Sequence, residues 1–362
     1  MLAIRLGALL RPSFLRRYIL HTSRLAFGLV VSLIMAACSA PDSNIDLASE
    51  NLWPTVTAFA QTEPVPDDDD AADDPYVMVT AAGEVIIAGT NKRRGVELYD
   101  LQGRKLAALD SGRVNNVDGV FDSATNAFRI AGSNRTSVQV DVYSVTTAPV
   151  ALTLASSFDL PMEEPYGLCV SPTAIYVGDT EGLVQAWSWQ GEGPLASYRF
   201  KTKTEGCVVD TENNALFVGE EMTAIWRIDL SDKDAEPTLF AAVDGEDLVG
   251  DVEGLDIYKG AERSVLLASS QGDSTFVAYD LATAEQLGKF SIVATADDII
   301  DGAEDTDGIA VTHQTLADHP KGILVVQDGF NFDGKQTATN QNFKMIDWRA
   351  VEEVLGPVKR NP

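Results

Sequence analysis

From Asp73 onward the chain is a succession of short apolar runs that alternate with polar residues and are broken by Gly, Asn and Asp. That period-two pattern predicts β-strands, and no stretch holds the 3.6-residue period of a long amphipathic helix. Aligned against itself, the sequence repeats. A polar residue, a Gly and an apolar run recur at Asp118-Gly119-Val120, Tyr166-Gly167-Leu168, Glu205-Gly206-Cys207, Glu253-Gly254-Leu255 and Asp307-Gly308-Ile309, after a divergent first copy at Asp74-Pro75-Tyr76. The spacings are 44, 48, 39, 48 and 54 residues. Each copy goes on to a second apolar run, such as Ile86 to Lys92 or Leu216 to Glu221, and a third, such as Val96 to Leu101 or Ala224 to Leu230. Six units of at least three strands predict an all-β chain folded as a six-bladed β-propeller over residues 61–362, because four-stranded blades have about this length and close radially.

The N-terminal segment differs. Residues 1–37 hold Arg5, Arg11, Arg16, Arg17 and Arg24, no acid, and an apolar run from Leu25 to Ala37, the order of a secretory signal. That run is shorter than the ~20 apolar residues of a spanning helix. Met35-Ala36-Ala37-Cys38 is similar to a bacterial lipoprotein processing site, with Cys38 as the lipidated residue; an ordinary signal cleaved near Ala40 is the alternative. Residues 38–60 read as a polar tether with a candidate strand at Leu52 to Phe59. The reading is an exported protein, either a cell-envelope lipoprotein, with Ser39 pointing to the outer membrane, or a periplasmic or secreted form.

Charge narrows the partners. The signal carries five of the 27 basic residues and none of the 54 acidic ones, which takes the remainder to a net charge near −32. Such an excess excludes nucleic acid, and it repels a polyanionic substrate unless cations intervene. Beyond Cys38 only Cys169 and Cys207 remain; export permits a disulfide between them, and two buried thiols are equally compatible with the sequence. His313 and His319 are the histidines left beyond the signal, and no Arg-His-Gly segment is present. A histidine-phosphatase mechanism therefore lacks its nucleophile.

In a propeller the first strand of each blade lines the channel, so equivalent positions converge on one mouth. Here they are Asp74, Asp118, Tyr166, Glu205, Glu253 and Asp307. Carboxylates so crowded repel one another by several kcal/mol in a partly dry site unless a cation lies among them. Asp73, Asp251 and Asp301 extend the cluster, as do Glu181 and Glu220-Glu221 in the loops after second strands. An all-oxygen set without available thiol or imidazole favours Ca²⁺ over zinc or copper, and the spacing is not that of an EF-hand. Two of the same loops end in cations, Asn91-Lys92-Arg93-Arg94 and Asn134-Arg135. Calcium beside Lys and Arg donors suits a phosphate group.

The segments Thr62-Glu63-Pro64-Val65, Asp73-Asp74-Pro75, Gly89-Thr90-Asn91-Lys92, Asn115-Asn116-Val117-Asp118, Thr204-Glu205-Gly206, Asp251-Val252-Glu253-Gly254-Leu255, Asp305-Thr306-Asp307-Gly308 and Asn342-Phe343-Lys344 occur in the order in which similar segments occur in the β-propeller phytases. The chain resembles that family from about Glu63 to Trp348. The resemblance implies a monomeric calcium-dependent phosphatase acting on phytate, inositol hexakisphosphate, taken as its calcium complex, and on lower inositol phosphates, with water activated by calcium as nucleophile. It implies calcium positions at Glu63, Asp73, Asp74, Glu205, Glu221, Asp251, Glu253, Asp301 and Asp307, several ions in all. Glu205, Tyr166, Lys92 and Arg135 would be catalytic, and Lys92, Arg93, Arg135 and Glu181 would bind substrate. Thr180-Glu181-Gly182 departs from a Lys-Glu-Gly found in some members, so one phosphate-binding cation is missing, with Arg199 or Lys201 as candidate replacements. Two other readings compete: a calcium-binding propeller lactonase or esterase, which needs few cations at the mouth, and a non-catalytic envelope propeller, which needs an apolar ring there.

Overall fold

Strands apolar on both faces must lie inside stacked sheets, and strands that alternate must lie at an edge. Val85–Asn91 and Ile323–Asp328 are buried along their whole length, whereas Lys105–Asp110 alternates half-buried and exposed. The computed structural model describes residues 53–334 and 337–356, and in it six sheets, antiparallel but for one added edge strand, form the blades of a propeller. Blade 1 is the meander Ala72–Val79, Val85–Asn91, Gly95–Asp100 and Lys105–Asp110. The inner strands of blades 2 to 6 are Val114–Asp122, Pro165–Val170, Thr204–Asp210, Leu255–Lys259 and Ile309–Thr312. Six apolar clusters fill the gaps between consecutive blades, as where Ile87 and Tyr99 of blade 1 meet Val325, Phe343 and Met345 of blade 6. The signal predicted for 1–37, Cys38 and most of the predicted tether lie outside the described residues. Among the described residues no helix is long and apolar enough to cross a membrane.

Blade 6 borrows its outer strand from the other end of the chain: Ala60–Gln61 pairs antiparallel with Asn342–Asp347. Just before it, Thr55–Thr57 pairs parallel with Gln286–Val293 as a fifth strand on blade 5. The propeller thus begins ahead of residue 61, and the last residues of the 38–60 segment belong to its sheets. This pairing joins the two ends of the ring and covers strand edges that would otherwise be open.

The inner strands also correct the repeat phase read from the sequence. In blades 1 to 4 each carries a bulge near its start: the step from Ala72 to Pro75 is opposed by the shorter step from Asn91 to Gly89, and the same happens at Val114 to Val117, Pro165 to Leu168 and Thr204 to Cys207. The ladders of blades 5 and 6 begin at Leu255 and Ile309. The residue two places before each of these points is Asp73, Asn115, Tyr166, Glu205, Glu253 and Asp307. The structural equivalents of the last four are therefore Asp73 and Asn115, in place of Asp74 and Asp118.

Asp74 and Asp118 have a different task. Asp74 accepts the Val117 N–H at 3.0 Å and Asp118 the Val170 N–H at 2.8 Å, each a bond to the next blade, and Asp256 does the same to Val311 at 2.6 Å. All three line a cavity of about 140 Å³ inside the channel. The glycine after the mouth residue also has a steric cause. A Cβ on Gly167 would stand 2.0 Å from the Glu205 carbonyl oxygen, and one on Gly206 2.7 Å from that of Glu253, so only glycine lets the inner strands crowd this closely. Cys169 and Cys207 form a disulfide between the inner strands of blades 3 and 4, with Cα atoms 5.6 Å apart.

Removing the first 60 residues would strip the blade 5 edge strand with Val56 and Ala58, both packed in the cluster between blades 5 and 6. Burial of a valine side chain is worth about 1.5–3 kcal/mol. A chain beginning at residue 61 should therefore melt several degrees below one beginning at residue 53, read by thermal denaturation; equal melting would show that the edge strand adds nothing.

Candidate active site

Asp73, Tyr166, Glu205, Glu253 and Asp307, each two residues before the regular ladder of its blade, meet at one mouth, where they line a cavity of about 310 Å³ with Asp70, Lys92, Lys203, Asp251, Gln271 and Asp305. Glu221, at the end of the blade 4 second strand, reaches in from the side. Oxygens of Glu205, Glu221 and Glu253 all lie within 4.8 Å of one another. Asn115 ties the ring across: its amide nitrogen donates to Glu205 Oε1 at 2.7 Å and to Asp73 at 3.1 Å. Glu205 Oε2 is buried without a hydrogen-bond partner. Acceptors in this arrangement can stay together only by sharing a proton or a cation.

The protonation of the cluster reflects this. Burial pushes the Glu205 carboxyl well above the ordinary carboxylate range, and the charges of Glu253, Asp73 and Asp307 add to it. Burial also raises Asp307, against the pull of Lys92. Glu221 is pushed up to about 7 by burial and by Glu253, with Lys203 acting the other way. The all-oxygen donor set, the orphaned Glu205 oxygen and the surplus of negative charge together fit a hard divalent cation.

Cations stand at the rim. Lys92 Nζ lies 2.6 Å from Asp70, 2.8 Å from Asp307 and 3.0 Å from Asp73. Burial alone would lower its pKa, but these carboxylates more than offset that and keep it charged. A second pocket of about 420 Å³ is lined by Asp70, Lys92, Arg93, Arg113 and Arg135, so Asp70 and Lys92 form a wall common to both. Arg135 donates to Asn115 at 3.0 Å and to Glu164 at 2.7 Å, and its guanidinium stands 5.2 Å from the Tyr166 ring centre. Burial, followed by the Glu205 charge, raises the Tyr166 phenol far above its ordinary value.

The structure thus gathers Asp73, Tyr166, Glu205, Glu221, Asp251, Glu253, Asp307 and Lys92 at the mouth, with Arg93 and Arg135 in the adjoining pocket. It does not gather four others. Glu63 is exposed on the outer side of blade 1, where its carboxylate accepts the Lys105 N–H at 3.3 Å. Asp74 faces the channel. Glu181 is exposed and its carbonyl accepts from Arg199 at 3.3 Å. Asp301 pairs with the buried Lys344 and accepts the Phe332 N–H at 2.6 Å. The sequence reading missed Asn115, which hid behind the wrong phase, and Arg113 and Lys203. The signal for the last two is positional, since each lies two residues before a mouth residue, Asn115 and Glu205. Neither Arg199 nor Lys201 lines the mouth; Lys203 does.

The chain is similar to known proteins along nearly its whole length. The family model described as Phytase matches residues 22–360. The 3-phytase of Bacillus subtilis (strain 168) is similar to this chain, 32% identical over 372 residues that cover 91% of this chain and 92% of that protein.

The raised carboxyls fix the pH response of the metal-free fold. Unfolded Asp and Glu titrate near 4, whereas Glu221, Asp118 and Asp256 are each pushed up to about 7 in the folded chain, burial being the largest cause. Between these values the folded state binds more protons, so stability falls as pH rises from about 4 through about 7. In chelator the melting temperature should therefore drop between pH 5 and pH 8; a constant or rising value would contradict the assignment.

Proposed function

The chain belongs to the phytase family, and on that footing we propose that its mouth hydrolyses phosphomonoesters of phytate and of lower inositol phosphates with calcium held by the carboxylate cluster. The observation that carries this reading is the common wall. A carboxylate cavity suited to cations and a pocket of arginines suited to phosphate share Lys92, so neighbouring phosphates of one substrate can occupy both. Glu205, Glu221 and Glu253, with Asp73, Asp251 and Asp307 around them, would hold the ions. Glu63 and Asp301, away from the mouth, would hold none of these ions.

Each protein group then has a defined task. Lys92 and Arg135 hold and orient phosphate oxygens, Arg135 with the fixed donor fork that matches them. Tyr166, kept protonated by its surroundings, donates its O–H to a phosphoryl oxygen. Asn115 fixes the orientation of Glu205. Arg93 and Arg113 bind the adjacent phosphate. Calcium, when bound, supplies charge neutralisation at the phosphoryl oxygens and lowers the pKa of water. The cations at the rim weigh against a lactonase or esterase, and the carboxylates against an apolar docking ring. The protein would work as a monomer outside the cytoplasm, anchored by lipid at Cys38; the Cys169–Cys207 disulfide supports an oxidising compartment.

Purified protein should release phosphate from phytate at near-neutral pH with millimolar calcium and lose that activity in chelator; no release with calcium would overturn the reading. Glu205→Gln should lower kcat about 100-fold or more while raising the melting temperature in chelator, because it removes one charge from a repelling cluster. Unchanged turnover in that variant would remove Glu205 from the reacting centre.

A further inference from the structure

The blade 3–4 side of the mouth obtains its cation from an unexpected place. The residue after each second strand is Lys92 in blade 1 and Arg135 in blade 2, but Thr180 in blade 3. The Thr180 turn abuts the segment that leads to Lys203: the Phe200 N–H donates to the Gly182 carbonyl at 2.7 Å, and a Cβ on Gly182 would stand 2.5 Å from the Thr202 carbonyl oxygen. Lys203 Nζ lies 3.3 Å from Tyr166 Oη, 4.6 Å from the centre of that ring and 2.9 Å from Glu221 Oε1. The two lysines of the mouth also differ. The Lys92 side chain is 10% exposed and ringed by Asp70, Asp73 and Asp307, while that of Lys203 is 36% exposed and paired with Glu221, one of the three clustered glutamates.

We propose that Lys203 is a hand-over cation: it neutralises Glu221 while the glutamate cluster is metal-free, and it turns to a substrate phosphate once that cluster holds calcium. The proposal rests on the reading of the mouth as an inositol-phosphate site. A divalent ion beside Glu221 repels the ammonium and takes over its partner. The flexible four-carbon stem lets the ammonium swing, and the face of Tyr166 gives it a resting place. Phosphate approaching the same spot completes the exchange. Calcium and phosphate therefore bind cooperatively, each tightening the other, because the ion frees the lysine that the anion needs.

Calorimetric titration of the whole protein tests this without turnover, using calcium alone and then inorganic phosphate in saturating calcium. Lys203→Met should weaken phosphate binding about tenfold, as for loss of one charge-assisted hydrogen bond. In the absence of phosphate the same variant should bind calcium as tightly as the wild type or up to about threefold more tightly, since a partly exposed competitor for Glu221 is gone. Lys203→Arg should keep both affinities, and Thr180→Lys added to Lys203→Met should regain phosphate binding. A purely structural role would weaken both ions together, and that result, or phosphate affinity unchanged in Lys203→Met, would overturn the proposal. Phytate turnover by the wild type, run alongside, separates the two readings. Wild-type protein that binds both ions as described but releases no phosphate overturns the functional reading alone, whereas turnover with phosphate affinity unchanged in Lys203→Met overturns the role of Lys203 alone.

Discussion

Crowded carboxylates that cannot move apart are the constraint on which the rest of the mouth depends. Glu205, Glu221 and Glu253 bring their oxygens within 4.8 Å, and the backbone behind them has no slack, because the inner strands of blades 3 to 6 approach until only a glycine fits between them. Relaxing the repulsion by spreading the strands would open the apolar clusters between blades. The molecule instead keeps the strands together and leaves the charge to be met by protons or by a hard cation. The crowding that makes these carboxylates costly to the fold is also what suits them to a hard cation.

The positive side of the mouth is distributed unevenly, and that asymmetry gives it direction. Arg93, Arg113 and Arg135 gather over blades 1 and 2, whereas the three clustered glutamates belong to blades 4 and 5. Lys92 joins the two regions, held charged by three carboxylates. The guanidinium groups and the metal-suited carboxylates thus lie side by side, with Asp70 and Lys92 between them. An overall charge of −27 makes such a local reversal of sign necessary, because the field of the whole chain would turn a polyphosphate away.

The propeller and most of the mouth were legible in the sequence because a sixfold repeat imposes the same demands six times. Glu205-Gly206, Glu253-Gly254 and Asp307-Gly308 each carry an acid and the glycine its neighbour needs, and either feature alone would have been weak. The first two blades misled. Asn115 is not acidic and is followed by Asn116, so Asp118-Gly119 offered a better match to the repeat, although Asp118 is a pin to blade 3. Blade 1 has Asp74 where the last four copies have the glycine after the mouth residue, and the shift from Asp73 to Asp74 is what that produces. Lys203 and Arg113 escaped for a related reason, since cations were sought in the loops after second strands, whereas these stand before first strands. Glu63 came from likeness of wording alone and Asp301 from its nearness to Asp307 along the chain, and neither lines the mouth.

The pairing of Ala60–Gln61 with Asn342–Asp347 reaches beyond architecture into the order in which the domain can be assembled. Gln61 also accepts from Lys344, 283 positions away along the chain. Loop closure over that separation comes late, after the local hairpins of each blade. A chain emerging from its N-terminus therefore carries its closing strand unpartnered from the start, and holds it so until synthesis has passed residue 347. Five blades can form as hairpins in passing, but the ring, and with it the spacing of the mouth, arises only when the last blade meets the first strand made.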